Sequence, residues 1–163
     1  MSVPASLLPE LEEIVQHGSA EKRAQTLRRI TTLFLDGADR FTSESVALFD
    51  DVISCLIEEI EVRALAELAR RLAPLPNPPQ RVMATLAKND DIEVAGPVLR
   101  LAPIADPDLQ DIAETKSQAH LLALSTRLKL GETLSGILVR RGDIEVARSI
   151  ANNHGARLSE RAL

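Results

Sequence analysis

The sequence predicts an all-α protein built as a right-handed α-solenoid of short helical hairpins. Three observations predict it. Apolar residues recur at three- and four-residue steps in every segment of the 163-residue chain. Three Phe and no Trp or Tyr leave a β-sandwich or barrel without its usual core residues. Finally, Asp91-Ile92-Glu93-Val94-Ala95 returns as Asp143-Ile144-Glu145-Val146-Ala147, and a recurring segment points to stacked repeats.

The elements follow in order. Leu7, Leu8, Leu11, Ile14 and Val15 outline a first helix that Gly18 stops. Ser19 caps a second with Leu27, Ile30 and Phe34 on its apolar stripe, and Asp36-Gly37 ends it. Thr42 or Ser43 opens a third, with Val46, Phe49, Ile53, Leu56, Ile57 and Ile60 in period. No Gly or Pro interrupts Thr42 to Ala73. One helix there would be about 47 Å long, too long for so small a domain. A break is therefore expected among Glu58, Glu59, Ile60 and Glu61, with a new helix burying Leu65, Leu68 and Leu72. Pro74-Leu75-Pro76-Asn77-Pro78-Pro79 cannot remain helical. It separates an N-terminal helical block, 1–73, from hairpin repeats at 80–163, with 74–79 the connection inside one continuous domain. Asn77 as cap and Pro78 at the first helical position are expected to start the next helix.

Asp91, Ser117 and Asp143 stand at equal spacing as caps of three second helices, each preceded by another short helical stretch over 81–87, 109–115 and 133–139. About ten helices result. A single hairpin has an apolar face that it cannot bury alone, and stacked neighbours bury it jointly. Gly96-Pro97 is expected to kink the Asp91 helix. In the Asp143 helix the expected core stripe is Ile144, Ala147, Ile150 and Ala151. Glu145, Arg148, Ser149 and Asn152 form its polar stripe, with Glu93 and Arg100 at the equivalent places of the Asp91 helix. These six residues are the candidate partner-binding face.

Charge excludes some functions. The chain carries a net −5, with eight acids against Arg40 alone over residues 36–61 and eight bases against four acids over 116–163. An acidic whole repels nucleic acid, and the aromatic platforms of single-strand binders are missing. One Cys excludes an internal disulfide and a Cys-rich zinc site. No apolar run approaches a membrane span and no secretory signal opens the chain, so a cytoplasmic location is expected.

Candidate chemistry is thin. His17 and His154 each precede a Gly, where a cation suits a helix C-terminus, and His120 lies in an apolar helix. Cys55, between Ile53 and Leu56, reads as a buried structural thiol. Adjacent acids at Glu12-Glu13, Asp50-Asp51, Glu58-Glu59 and Asp90-Asp91 point apart on a helix and read as solvated faces or caps. No phosphate loop, nucleophile elbow or zinc-protease motif is present, so no catalytic, cofactor-binding or metal residue is assigned and no cofactor is expected.

The short helix pairs, with Asp at the start of the second helix followed by Val-Ala in the Asp91 and Asp143 helices and a Leu or Ile core, resemble HEAT-like repeats, with a unit shorter than the usual one. Several stretches more narrowly resemble an uncharacterised bacterial family, largely alphaproteobacterial, of unknown function and HEAT-like helices. They are Val94-Ala95-Gly96-Pro97-Val98-Leu99, Asp106-Pro107-Asp108-Leu109, His120 through Arg127, Leu138-Val139-Arg140-Arg141-Gly142-Asp143, and Asn153 through Ser159. The resemblance implies a fold and offers no catalytic residue. Its Asp–Arg ladder is interrupted here, because Arg148 is present and Gly96 takes the equivalent place. A new helix is expected to begin after Leu158-Ser159-Glu160, where the sequence stops at Arg161-Ala162-Leu163, so it reads as the front part of a longer protein.

The expected function is a non-enzymatic scaffold or adaptor that binds another protein or a further segment of its own chain. The acidic and basic regions also make it a candidate homo-oligomer. Two alternatives stand. One is an enzyme accessory or HEAT-like enzyme of lyase or DNA-glycosylase type. The other is a weak nucleic-acid binder using Arg127, Lys129, Arg140, Arg141 and Arg148.

Overall fold

A computed structural model describes residues 13–14 and 16–157. Nine helices occur among the described residues: α1 (Ala20–Gly37), α2 (Ser43–Leu56), α3 (Val62–Leu72), α4 (Gln80–Ala87), α5 (Ile92–Leu101), α6 (Asp106–Thr115), α7 (Gln118–Ser125), α8 (Glu132–Arg141) and α9 (Ile144–Ala151). The sole pairing of β type among them is one isolated parallel bridge between Leu130 and Ala156. Of the expected first helix, Leu7, Leu8, Leu11 and Val15 lie outside the described residues, as does the helix expected after Leu158-Ser159-Glu160.

Local chemistry sets the boundaries. Ser19 and Thr42 cap α1 and α2, their hydroxyls accepting from the Lys22 and Ser45 amides at 3.2 Å. The break after α2 falls where carboxylates cluster. Glu59 adopts φ 59°, a left-handed turn, and Glu61 is the N-cap of α3. Gly37 lets the chain turn tightly, because a Cβ there would meet the Phe41 ring. That ring packs with Phe34 and Phe49, with ring centroids 5.0–5.8 Å apart. The start of α4 differs from expectation. Its N-cap is Pro79 rather than Asn77, and Pro79 has no side-chain acceptor. The acceptor comes instead from α2, where the buried Asp50 carboxylate takes the Arg81 and Val82 amides at 2.9 Å each. Helix α5 runs through Pro97 without ending.

Helices α3, α5, α7 and α9 pack successively in a row, and α4, α6 and α8 each pack on the helix that follows. Hydrogen bonds fix the sense of the row. At one end the Gln118 side chain donates to the Arg141 carbonyl and accepts from the Asp143 amide, joining the starts of α7 and α9. His120 reaches the Asn89 carbonyl ahead of α5 at 2.8 Å. At the other end Arg127 donates to the Leu99 and Ala102 carbonyls at 2.7 and 2.8 Å, and Asn153 donates to those of Ser125 and Arg127 at 2.8 Å. Each residue thereby serves the carbonyls that the preceding second helix leaves unpaired. Arg141 does the same for Ala113 and Lys116 at the end of α6, and Arg23 for Cys55 and Glu58 after α2.

The helices of the row share a register. Three and seven residues after the cap lie Ala64 and Leu68, Val94 and Val98, His120 and Leu124, and Val146 and Ile150, all buried in one core that extends from Leu27 to Ile150. Four and eight after the cap lie Leu65 and Ala69, Ala95 and Leu99, and Leu121 and Ser125, which are also buried. In α9 these last places hold Ala147 and Ala151, and both are exposed. The expected core stripe of α9 is therefore corrected to Val146 and Ile150, with Ile144 66% exposed. In α5 and α7 the four-and-eight stripe is buried, and each of those helices has a further second helix packed after it. No described helix follows α9.

Candidate functional site

The row presents its polar positions on the outside. Two residues after each cap stand Arg63, Glu93, Ala119 and Glu145, and nine after stand Arg70, Arg100, Thr126 and Asn152, all eight exposed. Five of the six candidate residues, Glu93, Arg100, Glu145, Arg148 and Asn152, are on this surface. Ser149 is half-buried, its hydroxyl 2.6 Å from that of Ser125 in α7. Arg100 folds back over its own helix, its guanidinium about 3.1 Å from where a Cβ on Gly96 would stand.

Three of the five basic residues of the nucleic-acid alternative are engaged within the fold. Arg127 and Arg141 are engaged with backbone carbonyls. Burial lowers the Arg127 pKa below its ordinary value, partly offset by Asp106, and a guanidinium starts high enough to remain charged. Arg140 pairs with Glu114 in α6. Lys129 and Arg148 are left exposed.

A groove of about 440 Å³ opens where the ends of α7 and α9 meet. Thr126, Leu128, Ser149, Asn152 and His154 are among its lining residues. Its wall is held on several sides. The Arg127 side chain is anchored in α5, its carbonyl accepts from Asn153, and Leu130 is buried and exchanges backbone bonds with Gly155 and Arg157. Gly155 presses so near that a Cβ would collide with the Leu128 carbonyl. Leu128 is the residue left pointing out, 92% exposed.

The remaining candidates separate. His120 is 1% exposed with both ring nitrogens bonded, Nδ1 to the Ser117 hydroxyl at 2.7 Å and Nε2 to the Asn89 carbonyl. A carbonyl only accepts, so Nε2 carries the proton, and the Ser117 cap is turned toward the ring. His17 and His154 are exposed. Cys55 is exposed, not buried. The stripe of Val46, Phe49, Asp50, Ile53 and Leu56 faces the core, and position 55 falls on the other side of the helix. Asp50, expected on a solvated face or as a local cap, caps a helix distant in sequence. Asp51 pairs with Arg81 at 2.8 Å, Asp90 with Lys116 at 2.6 Å, and Asp91 caps α5. Among the described residues no three His, Cys, Asp or Glu are grouped to hold a metal, and no helix is long and apolar enough to cross a membrane.

Sequence reasoning missed Arg127 and Asn153 as clamps between successive helices of the row. Their equal spacing with the caps was the available signal. It also missed Leu128, because an isolated Leu between two cations reads as an ordinary loop residue.

Residues 94–163 match the family model DUF2336, described as an uncharacterised protein conserved in bacteria. The DUF2336 span begins inside α5 and takes in α6 to α9, the groove and every residue of the candidate partner-binding face except Glu93. The stretches that carried the resemblance, from Val94 to Ser159, lie within it or begin it. No curated protein and no solved structure matches the chain.

Proposed function

We propose that the protein is a non-enzymatic interaction scaffold, a right-handed HEAT-like solenoid whose row of second helices receives a partner in the cytoplasm. The observation that carries this reading is the repeated register. Four successively packed helices place exposed side chains at the same two positions after their caps, a layout that stacked-hairpin proteins use to bind extended partners. The partner is another protein or a further segment of this chain, and a second copy is included. Glu93, Arg100, Glu145, Arg148, Ser149 and Asn152 are its contacts.

The test is affinity capture from native cytosol on the immobilised chain, beside the double variant Arg100→Glu, Arg148→Glu. A protein held by the first, lost by the second and bound again when purified supports the reading. Identical capture by both removes this face from it. Sedimentation at low and high salt reports on the second copy, and an unchanged monomer at both eliminates self-association.

A further inference from the structure

We propose that the groove between the ends of α7 and α9 takes an acidic peptide segment of the partner, seating an aliphatic side chain against Leu128. The proposal rests on the scaffold reading and names the chemistry of what binds at one part of that face.

Charge is the first argument. The groove lining, within residues 125–128 and 149–155, holds Arg127 and not one carboxylate, and the flanking stretches out to 131 and from 146 to 157 add Lys129, Arg148 and Arg157 and again no carboxylate, in a chain of net −5. Lys129, Arg148 and Arg157 are exposed, and no ion pair among the described residues engages them. Arg28, Arg81, Arg140, Lys88 and Lys116, in contrast, each meet a carboxylate.

Preorganisation is the second. An exposed Leu in a free loop would turn inward or move. Leu128 stands outward on a segment fixed through the Arg127 guanidinium, the Asn153 amide and the Leu130–Ala156 bridge. A rigid apolar side chain loses little freedom when covered, which favours binding. Thr126, Ser149 and Asn152 supply hydroxyl and amide groups for a peptide backbone. An apolar point within a polar, charged rim is how protein interfaces are organised. Nucleic acid fits less well, because no Phe, Trp or Tyr lines the groove to stack a base.

The probe is a fluorescein-labelled peptide alternating Glu and Ser around one central Leu, read by anisotropy against the full chain. Binding is expected to weaken with salt. It should fall at least tenfold when Lys replaces Glu in the peptide, and several-fold when Ser replaces its Leu. The variant Leu128→Asp, Lys129→Glu, with native circular dichroism, should lose at least tenfold. Arg148→Glu, on a different element, should lose several-fold. No binding to the unaltered protein, equal binding by the variants, or tighter binding of a single-stranded DNA of the same charge overturns the proposal. Failure here with the captured partner still lost by Arg100→Glu, Arg148→Glu defeats the groove assignment and leaves the scaffold reading standing.

Discussion

The Asp50 carboxylate and the Val82 backbone amide, 32 residues apart in sequence, form a 2.9 Å hydrogen bond that starts a helix. Its second oxygen takes the Arg81 amide at the same distance. Helix α4 begins after consecutive prolines and has no cap of its own, so two of its orphan amides depend on a side chain from α2. The bond joins the segments on either side of the proline-rich connection.

Asp50→Ala is therefore expected to destabilise the protein by about 2 kcal/mol, near the upper range of cap deletions because the donors lie in or beside the core. Asp50→Asn keeps one acceptor and should lose about half as much. The urea midpoint measures both, with the slope unchanged. A loss within error for Asp50→Ala would falsify the capping role.

Arg127 makes a second such prediction. Its guanidinium satisfies two carbonyls at the end of α5, and Arg127→Met keeps much of the stem while removing both bonds. The expected cost is about 2–3 kcal/mol, since hydrogen bonds from charged groups are the stronger kind. Faster amide exchange should follow at the end of α5 and in 125–130, because the clamp serves both. Exchange changed only in α7 would contradict a clamp between α5 and the segment after α7.

These two residues mark the limit of what the sequence discloses. Helix positions were legible because caps and apolar period are local properties. Ser19, Thr42, Asp91 and Asp143 cap where expected, and the apolar stripes of α1 to α3 face the core. Contacts between distant helices were not legible, because a carboxylate at 50 and two amides at 81 and 82 have no common local pattern. The exposure of Cys55 was readable from period alone and was masked by its apolar neighbours. The α9 stripe misled for a different reason. Its composition copies α5, and burial at Ala147 and Ala151 depends on what packs next. Of the candidate face, the outward positions were legible from helix period. The groove was not, because a loop held by three tertiary contacts made it.

Two glycines should respond with opposite signs. Gly136 lies inside α8, and a Cβ there meets nothing within 4 Å. Gly136→Ala should stabilise by about 0.5–1 kcal/mol through the less flexible unfolded chain and better helix propensity. Gly142 follows α8, and a Cβ there would collide with the Leu138 carbonyl and the Val146 side chain. Gly142→Ala should destabilise by more than about 1 kcal/mol, because close-packed backbone cannot yield cheaply. Thermal midpoints moving in the same direction would contradict this placement of α8 and α9.

The acid response should involve Asp90. Its hydrogen bond and charge attraction with Lys116 hold the carboxyl below its ordinary pKa, with burial opposing slightly. A carboxylate with a lowered folded pKa contributes stability that is present above its unfolded value of about 4 and lost as pH falls through the folded one. Asp90→Asn should therefore narrow the gap in urea midpoint between pH 7 and pH 3, while the two proteins converge at the acid end. Asp90 is almost fully exposed, so the effect is small and half-molar salt should erase it. A gap that persists in salt would mean that Asp90 acts through packing rather than charge. Lys88 provides the opposite sign. Hydrogen bonding and attraction to Asp108 raise its pKa, so its contribution is complete below about pH 10 and disappears as pH rises through the raised value. Lys88→Met should accordingly alter the alkaline limb of the stability profile, and Asp90→Asn the acid limb alone.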